Sequence, residues 1–87
     1  MENVPAPASE QSPDELRTWL IDRVAVYVER PADAIDPTVP LGEYGLDSVL
    51  ALAMASDIED HLKITVDATV LWDHPTIDEL ARVLTTP

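Results

Sequence analysis

Eighty-seven residues allow one small domain with a thin core. Seventeen acids against five bases give a formal net charge of −12, which repels phosphate backbones and anionic lipid and so disfavours nucleic-acid and membrane partners. The chain has no cysteine, hence no disulfide framework and no thiolate metal site, and no apolar run approaches membrane-spanning length. Lack of cysteine fits a cytoplasmic protein. An acidic surface suits partners with basic docking patches.

Residues 1–11 are rich in Pro, Ala, Ser, Glu and Gln and have neither a basic region nor an apolar signal core. They read as a disordered leader or linker, and 12–85 as the folded domain. Met1 fits a complete gene product, and the linker-like ends fit an excised domain. Helix one is predicted from Ser12, where Ser12-Pro13-Asp14-Glu15 sets out a capping box with proline at N1. Leu16, Leu20, Val24, Tyr27 and Val28 fall on one stripe, and Asp14, Thr18, Asp22 and Glu29 fall opposite. Pro31 disfavours helical geometry at Arg30, so the helix should end near Glu29.

A long connection follows to Leu46, stiffened by Pro37 and Pro40 and pinned by Ile35, Val39 and Leu41. Gly42 and Gly45 in its last stretch predict a sharp turn. Helix two is predicted from Asp47 or Ser48 to Leu62, and a short helix or turn over 67–72. A last helix starts at a second capping box, Thr76-Ile77-Asp78-Glu79, with Ile77, Leu80, Ala81 and Leu84 inward. The expected fold is all-α, a four-helix bundle of three main helices and one short one.

Helix two divides into two apolar regions at 100° per residue. Ala51, Met54, Ala55, Ile58 and Leu62 make a core stripe with Leu50 at its edge. Val49, Leu52, Ala53 and Ser56 point the other way, bordered by Asp57, Glu59 and Asp60. One stripe packs a helix, so the second is a candidate docking face.

Ser48 stands at the mouth of this helix. Unpaired N–H groups and the positive end of the macrodipole stabilise a phosphate there. Asp47 suits the N-cap and would steer a phosphate on Ser48 outward. The plain alternative is a tolerated N1 serine beside an Asp cap. A hydrolytic serine is disfavoured, because the nucleophile elbow needs glycine where Leu46 and Leu50 stand, and Asp73 and His74 are adjacent. Twelve residues separate His61 from His74, which is no metal spacing. His61 near the end of helix two is expected to complement the negative helix terminus. Trp19 and Trp72 are expected to pack, Trp72 closing the bundle above the short helix. No catalytic residue and no metal ligand is expected.

Leu41-Gly42-Glu43-Tyr44-Gly45-Leu46-Asp47-Ser48-Val49 resembles the acyl carrier protein signature, in which Gly-x-Asp-Ser-[Leu/Val/Ile] opens the second helix. Val70-Leu71-Trp72-Asp73-His74-Pro75-Thr76-Ile77 resembles a second signature of polyketide-type carriers. The resemblance spans about 14–84. It implies that a phosphopantetheinyl transferase modifies Ser48 from coenzyme A, with Asp47 beside it. The 4′-phosphopantetheine arm would hold acyl groups as thioesters in polyketide, fatty-acid or lipid biosynthesis.

The resemblance further implies a non-catalytic, monomeric module. Its other partners would be an acyl-loading enzyme (acyltransferase or fatty acyl-AMP ligase) and a ketosynthase or other synthase domains. These would dock by helix two and the preceding loop, where Val49, Leu52, Ala53 and Ser56 match the partner-facing positions. Ala53 and Ala55 stand where polyketide-type carriers often have Glu and Arg, Trp72 where Phe is frequent and His74 where Tyr is. In this the chain is similar to carriers loaded by fatty acyl-adenylate ligases or placed in bacterial lipid–polyketide assembly lines. Peptidyl carriers of nonribosomal synthetases commonly show Gly-Gly-x-Ser, so Asp47 favours an acyl cargo. A non-carrier acidic helical adaptor is the remaining alternative.

Overall fold

Helix α1 (Pro13–Val28) begins where its sequence grammar places it. Ser12 Oγ accepts from the Glu15 N–H at 3.2 Å, and Glu15 Oε1 accepts from the Ser12 N–H at 3.1 Å, closing the capping box. The helix stops at Glu29, which turns left-handed at φ 59°. The N–H of Arg30 then donates to the Ala25 carbonyl at 3.0 Å, satisfying an otherwise orphaned acceptor before Pro31.

The computed structural model describes residues 12–85, and the expected leader over 1–11 lies outside the described residues. Besides α1 it contains α2 (Ser48–Leu62), the single-turn α3 (Val70–Asp73) and α4 (Ile77–Thr85). No strand occurs among the described residues. The α2 stripe read from periodicity, Ala51, Met54, Ala55, Ile58 and Leu62, is buried. So are Leu16, Leu20 and Val24 of α1, and Ile77, Leu80 and Ala81 of α4. Each fully buried Leu, Ile or Met contributes roughly 1.5–3 kcal/mol. α1 lies most extensively against α4. Arg17 Nε sits 2.9 Å from Asp78 Oδ1 across that pair. Thr76 Oγ1 accepts from the Glu79 N–H at 3.1 Å to start α4, while the Glu79 carboxylate lies 3.8 Å from His74 Nδ1.

The long connection is more ordered than its proline content suggests. It contains two 3₁₀ turns, Ala32–Ala34 and Leu41–Tyr44, and it buries Ile35, Leu41 and Leu46 in the common core. Asp36 Oδ1 accepts from the Thr38 N–H and hydroxyl at 2.9 and 2.7 Å, and these bonds hold its carboxyl below the usual carboxylate range. Asp67 repeats the device before α3, its Oδ1 accepting from the Thr69 N–H at 3.0 Å.

One packing expectation is corrected. Trp72 does not close the bundle and is 54% exposed. On a single helical turn Leu71 and Trp72 project about 100° apart, and Leu71 takes the core position. His61 stands in the last turn of α2, as expected. Its ring stacks on Trp19, centroids 4.0 Å apart and planes 5° from parallel. Burial, with a lesser push from Lys63, holds its pKa below the ordinary 6.5 and favours neutral imidazole.

A histidine whose pKa is depressed by folding binds its proton more readily in the unfolded chain. Its contribution to stability is therefore present above pH 6.5 and lost as pH falls through the lower native value. Urea titrations from pH 7 to 5 should show a destabilisation that His61→Phe, which keeps a stacking ring, removes. Equal slopes for the two proteins would contradict this account. Asp36 and Asp67 act only below their ordinary 3.8, outside that window.

Candidate functional site

The path into Ser48 is fixed by a short series of backbone bonds. The Leu41 N–H donates to the Pro75 carbonyl at 2.8 Å, and the Asp78 N–H to Pro37 O at 3.0 Å. These tie the connection to Pro75, between α3 and α4, and to the first turn of α4. The Tyr44 hydroxyl accepts from the Asp36 N–H at 2.7 Å, with the Arg30 guanidinium 5.8 Å from the centroid of its ring. Gly45 then turns left-handed at φ 91°, a region closed to most side chains, and its N–H donates to Gly42 O at 3.1 Å. Leu46 is buried and its N–H reaches back to the Leu41 carbonyl at 3.4 Å.

Asp47 is the N-cap of α2, in extended conformation, with Oδ1 accepting from the Leu50 N–H at 2.9 Å. Ser48 is therefore N1, and it is exposed. The helix is capped without its hydroxyl. Asp47→Ala should cost about 1 kcal/mol of unfolding free energy, the usual value of a lost cap. A thermal melt showing no loss would contradict the capping role.

Along the outer face of α2, Val49 is 72% and Leu52 62% exposed, Ser56 is exposed and Ala53 half-buried. The acids bordering this face are not equivalent. Asp57 turns to α1, where its Oδ2 accepts from Arg23 Nη2 at 3.0 Å and from the Tyr27 hydroxyl. That second bond, with burial, raises the Tyr27 pKa, so the phenol stays protonated and donating. Glu59 Oε2 accepts from the Val66 N–H at 2.7 Å and secures the turn after α2. Asp60 is exposed.

Two residues that shape the approach to Ser48 were not singled out by sequence reasoning. Leu46 had a local signal, an apolar residue alone between Gly45 and two polar positions. Tyr44 had none, because its partner Asp36 lies eight residues back and is met only when the connection folds. Among the described residues no cluster of three His, Asp or Glu could hold a metal ion, and no helix is long and apolar enough to cross a membrane.

A family model described as the phosphopantetheine attachment site matches residues 18–84. The acyl carrier protein LipD from Actinoplanes friuliensis is 43% identical, with 97% of this chain and 93% of that one aligned and a TM-score of 0.73. A free-standing peptidyl carrier protein from Acinetobacter baumannii is 36% identical over 84% of this chain and 91% of its own, with a TM-score of 0.81. A phenolphthiocerol/phthiocerol polyketide synthase polypeptide of Mycobacterium tuberculosis is 34% identical over 73 residues. That alignment takes in 84% of this chain, which spans only 4% of the synthase polypeptide's length. Since the family match runs from the second turn of α1 to the last turn of α4, the chain belongs to the phosphopantetheine attachment-site family of carrier domains, whose cofactor is 4′-phosphopantetheine.

Proposed function

We propose that Ser48 is the attachment residue and that the chain is a non-catalytic, monomeric, cytoplasmic acyl carrier for polyketide, fatty-acid or lipid assembly. The observation that carries this reading is that Ser48 is exposed at N1 while Asp47 makes the cap, so the hydroxyl is presented without being needed by the fold. The residues present fit the cofactor. Ser48 Oγ would bond the phosphate, the α2 N-terminus would favour its charge, and Asp47 would repel it toward solvent. In loading, the Ser48 O–P bond forms as the pyrophosphate of coenzyme A is cleaved. Adenosine 3′,5′-bisphosphate leaves and the hydroxyl proton passes to the transferase or solvent. When bound, the arm supplies a flexible terminal thiol that carries acyl groups between active sites at high effective concentration.

The chain's own contribution is presentation. The bonds from Leu41 to Pro75 and from Asp36 to Tyr44 hold the approach, and Val49, Leu52, Ala53, Ser56 and Asp60 offer the docking face. Asp57 and Glu59 support that face from beneath, held by α1 and by Val66. Its partners on this reading are a phosphopantetheinyl transferase, an acyltransferase or fatty acyl-AMP ligase, and a ketosynthase or other synthase domain. Similarity to the free-standing peptidyl carrier supports an aminoacyl cargo as the second reading, which Asp47 directly before Ser48 argues against. Incubation with coenzyme A and a broad-specificity phosphopantetheinyl transferase should add the mass of one arm at Ser48. An unchanged intact mass would end this reading.

A further inference from the structure

Tyr44 is gripped from two sides. Its hydroxyl accepts from the Asp36 N–H at 2.7 Å and lies 3.5 Å from the Asp36 carbonyl, to which it donates. The Arg30 guanidinium stands 5.8 Å from the centre of its ring, within cation–π range. The segment from Asp36 to Tyr44 has little packing of its own: Leu41 is its one buried side chain, and the rest are half-buried or exposed. Such a segment keeps its shape through polar bonds, and the Tyr44 hydroxyl joins its last residue to its first.

This closure lies directly upstream of Ser48. Tyr44 ends the 3₁₀ turn, Gly45 turns left-handed, Leu46 is buried and Asp47 caps α2. The first N–H groups of a helix have no intrahelical acceptor, so its opening turn is held less firmly than the turns after it. The backbone that feeds Ser48 therefore takes its direction from the connection. The outer face of α2, by contrast, is carried by the helix itself. Aiming the hydroxyl and offering a docking face are thus separable tasks.

We propose that Tyr44 is a positioning residue for transfer of the arm to Ser48, acting through the closed connection and not by contact with a partner. The proposal rests on Ser48 being the loaded residue. In that step the Ser48 O–P bond forms as the pyrophosphate bond of coenzyme A breaks, adenosine 3′,5′-bisphosphate leaves, and the hydroxyl proton passes to the transferase or solvent. The attacking oxygen must lie roughly in line with the departing one. A misplacement of about 1 Å can cost on the order of a hundredfold in rate. Loosening the segment from Asp36 to Tyr44 therefore slows the transfer step and spares the encounter, which α2 provides.

The test is single-turnover loading of the full chain, with a broad-specificity phosphopantetheinyl transferase and coenzyme A in excess, at a temperature where wild type and variant are both fully helical by circular dichroism. Varying the transferase separates the maximal rate from the half-saturating concentration. Tyr44→Phe keeps the ring beside Arg30 and removes only the hydroxyl. Its maximal rate should fall about tenfold, with half-saturation within about twofold of wild type. Hydrogen exchange at the Asp36 and Leu46 amides should accelerate, while exchange in the middle of α1 should not. An unchanged maximal rate overturns the proposal. So does a raised half-saturating concentration at unchanged maximal rate, which would make Tyr44 a docking residue. If Tyr44→Phe does not fold, Arg30→Gln decides, because Arg30 is exposed and its loss frees the ring while leaving the hydroxyl in place. A maximal rate lowered about threefold is expected there, and a wild-type rate overturns the proposal. Absence of any loading of the wild type is a different result, which removes the Ser48 reading and this proposal with it.

Discussion

Ser48→Ala should abolish uptake of the phosphopantetheine arm while leaving the fold intact. Alanine has a helix propensity better than serine by about 0.5 kcal/mol, and the cap bond to Leu50 belongs to Asp47. The melting temperature of the variant should therefore stay within about 4 °C of wild type. Loading should fall to background, since no other hydroxyl on this chain sits at N1 of α2. The measurement is intact mass after exposure to coenzyme A and the transferase, paired with a thermal melt. Residual loading in the variant would place the arm elsewhere. A large fall in melting temperature would make Ser48 a structural residue instead.

Leu41→Ala should be the most damaging single truncation in the connection. Leu41 is 2% exposed, and its backbone both donates to Pro75 and accepts from Leu46. Removing three carbons from such a site costs about 3 kcal/mol, transfer and cavity terms together. For a domain this small that lowers the melting temperature by roughly 15 °C, a large share of its whole stability. The loss should also be local. Hydrogen exchange at the amides of Leu41, Gly45 and Leu46 should accelerate more than exchange in the α1–α4 pair, where the core is thickest. Uniform acceleration across all helices would mean that the connection is not a separate unit, and a shift below about 5 °C would mean that Leu41 does not anchor it.

These two variants separate what the helix supplies from what the loop supplies. Ser48 is presented because α2 begins there, and α2 begins there because Asp47 caps it. The direction of approach comes from the Gly45 turn and from Leu46 buried beneath it.

The helix starts and core stripes were legible in the sequence because they rest on local chemistry. A hydroxyl or carboxylate three residues before a free N–H and apolar residues at helical period act within one or two turns of chain. The Ser12 and Asp47 caps, the five-residue buried stripe of α2 and the left-handed turn at Gly45 are of this kind. So was the Gly45-Leu46-Asp47-Ser48 pattern through which the family could be recognised.

Only the assembled bundle decided the rest, because each case is a choice between side chains made by distant partners. Asp57 could border the outer face of α2 or reach α1, and Arg23 with Tyr27 draws it inward. His61 sits in the last turn of α2 as its sequence position predicts, but only the bundle sets the Trp19 ring of α1 against it and, by burial, favours its neutral form. Leu71 and Trp72 compete for one core position on a single turn, and the space between the longer helices admits leucine and leaves the indole in solvent. Pairings across 30 or more residues have no periodic trace, so they exist only once packing has brought the helices together.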